Sequence, residues 1–431
     1  MPVSTAICTM FKFLHAADIH LDSPLRGLQR YEGAPIAEIR QASRRALENL
    51  VQLAIDQTAA FVLIAGDLYD GDWKDHRTGL YFVSQMVRLR EAGIPVIVIS
   101  GNHDAANKMT RTLPLPENVH MLDHKRPETF LLEQLGVAIH GQSFATPAVL
   151  EDLSATYPPA VGGMLNIGLL HTCATGREGH QPYAPCTMQG LISKHYDYWA
   201  LGHVHGHEVL NRDPEVIFPG NIQGRHIHEH GPKGCMLVDV DSQQRLRPEL
   251  RPLDVFRWQP CWVDATGAAT KEELLDRFRQ QLATLIRESD GLSLAVRVET
   301  SGPCAAHQEI AARPQQWVND IRSTTLDLSG GRVWIEKVRT ATTLPVNLDE
   351  AMLSDGPLGE LARLIEELRG DPEAVLRLVA EDLAELRKKL PAELTEGPEA
   401  VDLGKPDRTG ELLEQVRQML VGQMVSRQVA K

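Results

Sequence analysis

Runs of apolar residues in the first half of this 431-residue chain end directly in clusters of aspartate, asparagine and histidine. The runs FVLIAGD and PVIVISGNHD read as strands and alternate with helices predicted at 36–56 and 76–92, which is typical of an α/β fold. Open α/β sheets present ligands at the carboxyl ends of their strands. We therefore expect a site at these strand ends. The clusters are Asp18-Ile19-His20, Gly66-Asp67-Leu68-Tyr69-Asp70, Gly101-Asn102-His103-Asp104, His171 and Gly202-His203-Val204-His205.

The spacing inside two of the clusters favours metal binding. Asp18 and His20 are two residues apart, as are His203 and His205. Side chains at this spacing share one side of an extended segment, so both members of a pair can face one ion. Each motif alone also fits an exposed loop, but the ordered set is specific. Oxygen and imidazole ligands without thiolates suit manganese, iron or zinc at a hydrolytic centre.

The ordered set resembles the calcineurin-like metallophosphoesterases over roughly the first 240 residues. The stretches HAADIHLDSPLRGL and PGNIQGRHIHEHGPKGC are similar to the DNA repair exonuclease branch, specifically its YhaO-like subgroup, with the nuclease SbcD more distant. The resemblance implies an α/β fold built as a two-sheet β-sandwich flanked by helices over 11–250. It also implies a small α/β capping domain at 251–344 and a helical C-terminal region at 345–431.

The resemblance also implies a centre with two divalent metal ions, expected to be Mn²⁺. The ligands of one ion would be Asp18, His20, Asp67 and His205. The ligands of the other would be Asp67, Asn102, His171 and His203, so that Asp67 bridges the two ions. His103 would stabilise the transition state or protonate the leaving oxygen, and Asp104 would orient His103.

The function implied by the resemblance is that of a metal-dependent DNA exonuclease or endonuclease in DNA repair. Its partners would be DNA and an ATPase whose coiled coil docks the C-terminal helices. Whether the chain forms a homodimer is left undecided by the sequence. One alternative is a phosphodiesterase acting on a small nucleotide or phosphodiester. Another is a non-catalytic scaffold, which would require lost ligands, and none of the expected ligands is missing. The net charge of −13 opposes a nucleic-acid surface, although bound cations would partly offset it.

Cysteine usage and the N-terminus favour a cytoplasmic protein without membrane contact. The six cysteines are scattered and form no CxxC pair, as expected for a reducing compartment. No apolar run is long enough to span a bilayer. The segment MPVSTAICTM lacks the basic residues of a signal peptide, and Met10 is an alternative start.

Several polar residues outside the ordered set are weaker candidates. We expect His207, His228 and His230 in loops, whereas Arg225 and His226 are placed to reach a substrate phosphate. Basic residues that would contact phosphate, or carry ordinary solvated charge, are His124, Lys125, Arg126, Lys108 and Arg111.

Helical patterns dominate the second half of the chain. Thr270 and Glu273 form a capping-box signature before a predicted helix. The C-terminal region carries apolar stripes that must be buried, and we expect them to pack against the coiled coil of the ATPase. The stripes are Leu361, Leu364, Ile365 and Leu368; Val375, Leu376, Val379 and Leu383; and Leu412, Leu413, Val416, Met419 and Leu420.

Overall fold

The structure is a computed structural model that describes residues 10–24, 33–70, 76–105, 114–174, 183–345, 356–380, 384–385, 413 and 416. Its strands are β1 Phe11–Ala16, β2 Phe61–Ala65, β3 Val96–Ile99, β4 Val119–Met121, β5 Glu128–Leu132, β6 Val137–Gly141, β7 Leu165–His171, β8 Tyr198–Gly202, β9 Glu208–Arg212, β10 Glu215–Phe218, β11 Gly234–Val240, β12 Leu246–Pro252, β13 Phe256–Asp264, β14 Ser293–Pro303 and β15 Val333–Thr343. Its helices are α1 Ile36–Asp56, α2 His76–Glu91, α3 Asn102–Ala105, α4 Met188–Ile192, α5 Lys271–Glu288, α6 His307–Ala312, α7 Pro314–Ser329, α8 Pro357–Arg369 and α9 Pro372–Leu378.

Two six-stranded sheets organise the first 252 residues. The first sheet has the order β12-β11-β1-β2-β3-β4, in which β1 to β4 run parallel and β11 is antiparallel to both of its neighbours. The second sheet has the order β5-β6-β7-β8-β10-β9, in which only the two edge strands pair in antiparallel fashion. The parallel strands of each sheet place their carboxyl ends along one edge.

The two sheets pack face to face through an apolar core. Phe13 of β1 stacks on Phe61 of β2 at 4.9 Å between ring centroids and meets the edge of Tyr198 of β8 at 5.4 Å. All three rings are fully buried, and each buried large side chain contributes roughly 1.5–3 kcal/mol. Together with the helices described next, this packing confirms the expected two-sheet sandwich flanked by helices.

Helices cover the outer face of the first sheet. The buried residues of α1 recur at the spacing of one helical face, and the helix spans the predicted 36–56. Phe82 and Met86 of α2 pack in the same apolar cluster as Leu47 and Leu50 of α1. Helix α2 ends at Glu91, one residue before the predicted end. The α1 face consists of Ile39, Ala42, Ala46, Leu47, Leu50, Val51 and Ala54.

The chain divides into two compact units, one comprising 1–260, 285–297 and 329–337, the other the remaining residues. Strands β13, β14 and β15 form a three-stranded sheet in that order. The strand-helix alternation expected for a small α/β domain is present here. The predicted domain limits at 250 and 344 stay predictions.

In the second unit, helix α5 begins close to the predicted capping box. The Glu273 N–H donates to Thr270 Oγ1 at 3.2 Å, as the signature requires. The Glu273 carboxylate accepts from the N–H of Ala269 at 3.0 Å, one residue earlier than in the standard box. Phe278 and Leu282 of α5 are fully buried.

The C-terminal helices are described in part. Ile365 of α8 and Val375 of α9 are buried, whereas Leu364 of α8 is 53% exposed. The predicted stripe residues Leu383, Leu412, Met419 and Leu420 lie outside the described residues. Among the helices that the structure describes, none combines the length and apolarity that a bilayer span needs.

Gly202 at the end of β8 offers a test of this packing. A Cβ at this position would lie 1.9 Å from the Ala65 carbonyl oxygen of β2, whereas a Cβ at Gly162 would meet open space. We expect Gly202→Ala to lower the free energy of unfolding by about 1–3 kcal/mol, because a packed backbone must shift. Denaturant unfolding, with Gly162→Ala as the control, checks this; equal stability of the two variants would contradict it.

Candidate metal centre

The strand ends of both sheets bring the predicted site residues together. Asp18 and His20 follow β1, Asp67 follows β2, and Asn102 begins the short helix after β3. His171 is the last residue of β7 in the second sheet. The remaining two predicted ligands, which follow β8, are His203 and His205.

Asp18, His20 and His205 form one group of potential ligands. The Nε2 atoms of His20 and His205 lie 3.2 Å apart, and His205 Nε2 lies 3.9 Å from Asp18 Oδ1. Asp18 and His20 are almost completely buried, and His205 is partly exposed. This group matches three of the four ligands expected for the first ion.

Asp67, His171 and His203 form a second group. His171 Nε2 lies 3.5 Å from Asp67 Oδ2 and 3.0 Å from Asn102 Oδ1, so the asparagine oxygen also faces this group. The rings of His171 and His203 meet edge to face at 5.1 Å. These four residues are the ones expected for the second ion.

Asp67 lies between the two groups. Its Oδ2 atom is 4.0 Å from His20 Nε2 and 3.5 Å from His171 Nε2. Burial raises the pKa of Asp67, but the neighbouring His171, His20 and His103 together lower it well below its usual value, so the carboxyl is ionised. Burial lowers the pKa of His171, yet Asp67, with Asp18 and the Ala65 carbonyl, outweighs this effect and raises it to about 9. One carboxylate thus faces both ligand groups.

The donor set fits divalent cations. The facing Nε2 lone pairs of His20 and His205 repel one another unless a proton or a cation lies between them. Burial, followed by the charge of Arg225, lowers the pKa of His20 to about 3, which leaves its imidazole neutral and able to coordinate. Carboxylate, amide and imidazole ligands without thiolates suit manganese, iron or zinc.

The backbone around the groups adopts conformations that side chains normally avoid. Asp18, His20, Asp67 and His203 all have positive φ, at 51°, 44°, 51° and 99°. Such conformations cluster at functional sites, where the surrounding structure enforces them. Gly101 leaves no room for a side chain, because a Cβ there would lie 2.2 Å from Asp67 Oδ1.

Hydrogen bonds fix the orientation of several potential ligands. His171 Nδ1 lies 2.9 Å from the Ala65 carbonyl oxygen, to which it donates, so its Nε2 faces the ligand group. The backbone N–H of His203 donates to Asp18 Oδ2 at 2.9 Å, and the N–H of His103 donates to Asp67 Oδ1 at 3.0 Å. Backbone donors therefore satisfy part of the two buried carboxylates.

The carboxylate beside the His103 ring belongs to Asp70. His103 Nδ1 lies 3.1 Å from Asp70 Oδ1, and this hydrogen bond raises the pKa of His103. Asp70 Oδ1 is also 3.7 Å from His20 Nδ1, and its Oδ2 accepts from the Ser23 hydroxyl at 2.5 Å. Asp70, which the sequence offered only as the last residue of GDLYD, thus contacts the predicted catalytic histidine.

Asp104 occupies a different position from the one expected. Its carboxylate accepts the backbone N–H groups of Leu68, Tyr69 and Gly101 at 3.0–3.1 Å. These donors use both of its oxygens, and the side chain is 4% exposed. Asp70, and not Asp104, therefore lies beside the His103 ring, and Asp104 joins the loops after β2 and β3.

The weaker candidates separate clearly. His207 lies in the loop between β8 and β9, as expected, and its Nδ1 atom is 3.0 Å from the Phe218 carbonyl oxygen. His228 and His230 are exposed, as expected for loop residues. Arg225 lies within the site, where its guanidinium pairs with Glu229 and Asp70. Lys108 and Arg111 lie outside the described residues.

Comparisons with known proteins identify the family. A family model for the calcineurin-like phosphoesterases matches residues 11–207, and a model for the middle domain of the metallophosphoesterase YhaO matches residues 258–343. The metallophosphoesterase YhaO of Bacillus subtilis is 35% identical over 299 residues, which cover 68% of this chain and 73% of that protein. The chain belongs to the calcineurin-like metallophosphoesterases.

Two further relatives have names that refer to DNA repair or to a nuclease. The DNA double-strand break repair protein Mre11 of Methanopyrus kandleri is 24% identical, with 83% of each chain covered. A component of the nuclease SbcCD of Staphylococcus epidermidis is 25% identical, with 57% of this chain and 70% of that protein covered. Calcineurin-like metallophosphoesterases use divalent metal ions to hydrolyse phosphate esters, and the two groups described above are where this member would hold the ions.

Asp67→Asn tests whether the metallophosphoesterase centre shares one carboxylate. Because Asp67 faces both groups, we expect the variant to lose affinity at both metal sites, whereas the wild-type chain carries up to two ions. Elemental analysis after dialysis, with Asp197→Asn as the control, measures this. Retention of two ions by Asp67→Asn would show that the two groups do not depend on it.

Proposed function

We propose that the protein is a metal-dependent DNA nuclease that cleaves phosphodiester bonds with two divalent ions, and that these ions are Mn²⁺. Asp18, His20, Asp67 and His205 would hold one ion. Asp67, Asn102, His171 and His203 would hold the other. The observation that carries the proposal is the position of Asp67 Oδ2 between His20 and His171, since a carboxylate that faces both ligand groups could bridge two closely spaced ions.

When bound, the ions would polarise the phosphoryl group and activate water for attack. The protein's own contribution to the chemistry is the His103–Asp70 pair. Asp70 holds the Nδ1 side of the ring, so a protonated Nε2 would be free to donate to the leaving oxygen. The raised pKa of His103 favours the protonated form that this role needs.

The relatives named as a DNA repair protein and a nuclease support DNA as the substrate. Hydrolysis of a small nucleotide or phosphodiester is the second candidate, and the net charge of −13 favours it because long DNA prefers a basic surface. The proposal includes a role of this nuclease in DNA repair and a location in the cytoplasm. The described cysteines, which are free and buried, fit a reducing compartment.

A substrate comparison separates the two candidates. We expect the purified full chain with Mn²⁺ to cleave single- or double-stranded DNA, and chelation of the metal to abolish cleavage. The parallel assay uses a small aryl phosphodiester. Cleavage of the small substrate with DNA left intact would favour the second candidate.

His103→Ala tests the acid-base assignment. We expect the rate of phosphodiester cleavage to fall by roughly 10²–10⁴-fold, because a positioned proton donor is lost, while the metal content stays unchanged. Steady-state rates and elemental analysis of the same preparation check both statements. His195→Ala, in an exposed turn, is the control. Loss of metal from His103→Ala would instead make this histidine a ligand.

An ATPase partner with a coiled coil remains part of the proposal, and its binding would use α8. Leu364 is exposed on the same helix that buries Ile365, so an apolar side chain is available for a partner helix. We expect Leu364→Asp in the full chain to weaken binding of a purified coiled-coil ATPase at least about 10-fold. Leu326→Asp, on exposed residue Leu326 of α7, is the matched control. Equal binding by the two variants in calorimetry would argue against docking through α8.

A further inference from the structure

Glu229 lies in the loop after β10 and is buried beside the metal centre, with 5% of its surface exposed. Its carboxylate accepts hydrogen bonds from nitrogen donors of three residues, His205, Arg225 and Asn221. Oε1 is 2.7 Å from His205 Nδ1 and 2.9 Å from Arg225 Nη2. Oε2 is 2.8 Å from the Arg225 backbone N and 2.9 Å from Asn221 Nδ2. All of these nitrogen atoms donate, so the position calls for a group with acceptor oxygens on both sides.

The contact with His205 fixes which nitrogen of that ring is protonated. His205 Nδ1 donates to Glu229, so the Nε2 lone pair points toward Asp18 and His20. The backbone carbonyl of His205 accepts from Lys233 Nζ at 2.8 Å, which holds the main chain as well. A carboxylate behind a histidine in this way sets its tautomer and strengthens it as a ligand.

Arg225 extends this arrangement to the second functional histidine. Its Nη2 atom bonds Glu229, while its Nη1 atom is 3.6 Å from Asp70 Oδ2. Asp70 in turn holds His103 at 3.1 Å. Arg225 Nη2 also lies 3.0 Å from His205 Nδ1, because both donors converge on the same Glu229 oxygen. One partly buried guanidinium therefore contacts both carboxylates, the one beside His205 and the one beside His103.

We propose that Glu229 and Arg225 are positioning residues: Glu229 sets the orientation of His205 as a metal ligand, and Arg225 couples that orientation to the His103–Asp70 pair. The inference rests on the proposed assignment of His205 as a ligand and His103 as a proton donor. It gives the PGNIQGRHIHEHGPKG segment a function in assembling the centre.

Glu229→Gln in the full chain tests the first half of the proposal. An amide places an NH₂ group against donors whichever way it turns, so His205 loses its fixed orientation. We expect one of the two Mn²⁺ affinities to fall by about 10–100-fold in calorimetric titration, with the other retained. The absorption spectrum of the Co²⁺-loaded chain should change for the same reason.

Glu336→Gln is the matched control, because Glu336 forms an equally buried bidentate pair with Arg297 at 2.8 Å, outside the ligand groups. It should keep both affinities and the Co²⁺ spectrum. Should Glu229→Gln fail to fold, Glu229→Asp replaces it: the charge stays but the reach shortens, and the same loss is expected. Two unchanged affinities in either folded variant would overturn the role of Glu229.

Arg225 is tested by the rate at saturating Mn²⁺ on a small phosphodiester. There Glu229→Gln should recover to within about 3-fold of wild type, since excess metal compensates weaker binding. Arg225→Ala should stay about 10-fold slower, because Asp70 and His103 remain unaligned, and Arg225→Lys should recover part of the loss. Full recovery by Arg225→Ala would overturn the coupling.

The affinity readout needs no substrate. A wild-type chain that binds two ions but cleaves no phosphodiester would refute the proposed nuclease function and leave the role of Glu229 to be decided by the same titration.

Discussion

Burial of several carboxylates in one place is the constraint on which the rest of the structure depends. Asp18, Asp67 and Asp104 are each at most 4% exposed, and an unpaired buried carboxylate costs several kcal/mol. Backbone N–H groups of the loops donate to all three: one each to Asp18 and Asp67, and three to Asp104. Histidines complete the surroundings of Asp67. The site is therefore stable only where loops from several strands converge closely enough to supply these donors.

The sandwich provides that convergence. The loops after β1, β2 and β3 carry predicted ligands from one sheet, and the ends of β7 and β8 carry them from the other, because parallel strands end along the same edge. Such closeness excludes side chains at particular positions. The Ala65 carbonyl shows this well: it accepts from His171 Nδ1 and lies where a Cβ on Gly202 would have to be. The same packing that stabilises the two sheets thus positions the ligands.

A second layer of residues links the histidines to one another. Asp70 holds His103 and faces His20, Glu229 holds His205, and Arg225 lies between the two carboxylates. Arg225 is partly buried and pairs with both carboxylates, so it keeps its charge and offsets part of theirs. Metal affinity and proton donation would then depend on one connected set of contacts rather than on independent side chains.

The sequence by itself determined the α/β class, the bounds of α1 and the identity of the polar residues that meet at the strand ends. Periodicity and strand-end motifs depend on neighbouring residues in the chain, so they can be recognised in the sequence alone. The sequence did not determine which carboxylate forms a hydrogen bond with which histidine. Asp104 directly follows His103 in sequence, yet it faces the backbone of the neighbouring loop, while Asp70 reaches His103 from the end of another strand. Glu229 lies among three histidines and 24 residues from His205, so no local motif indicated that the two side chains are in contact. Only the tertiary structure decided these pairings, because side-chain direction at a strand end depends on loops brought together by sheet packing.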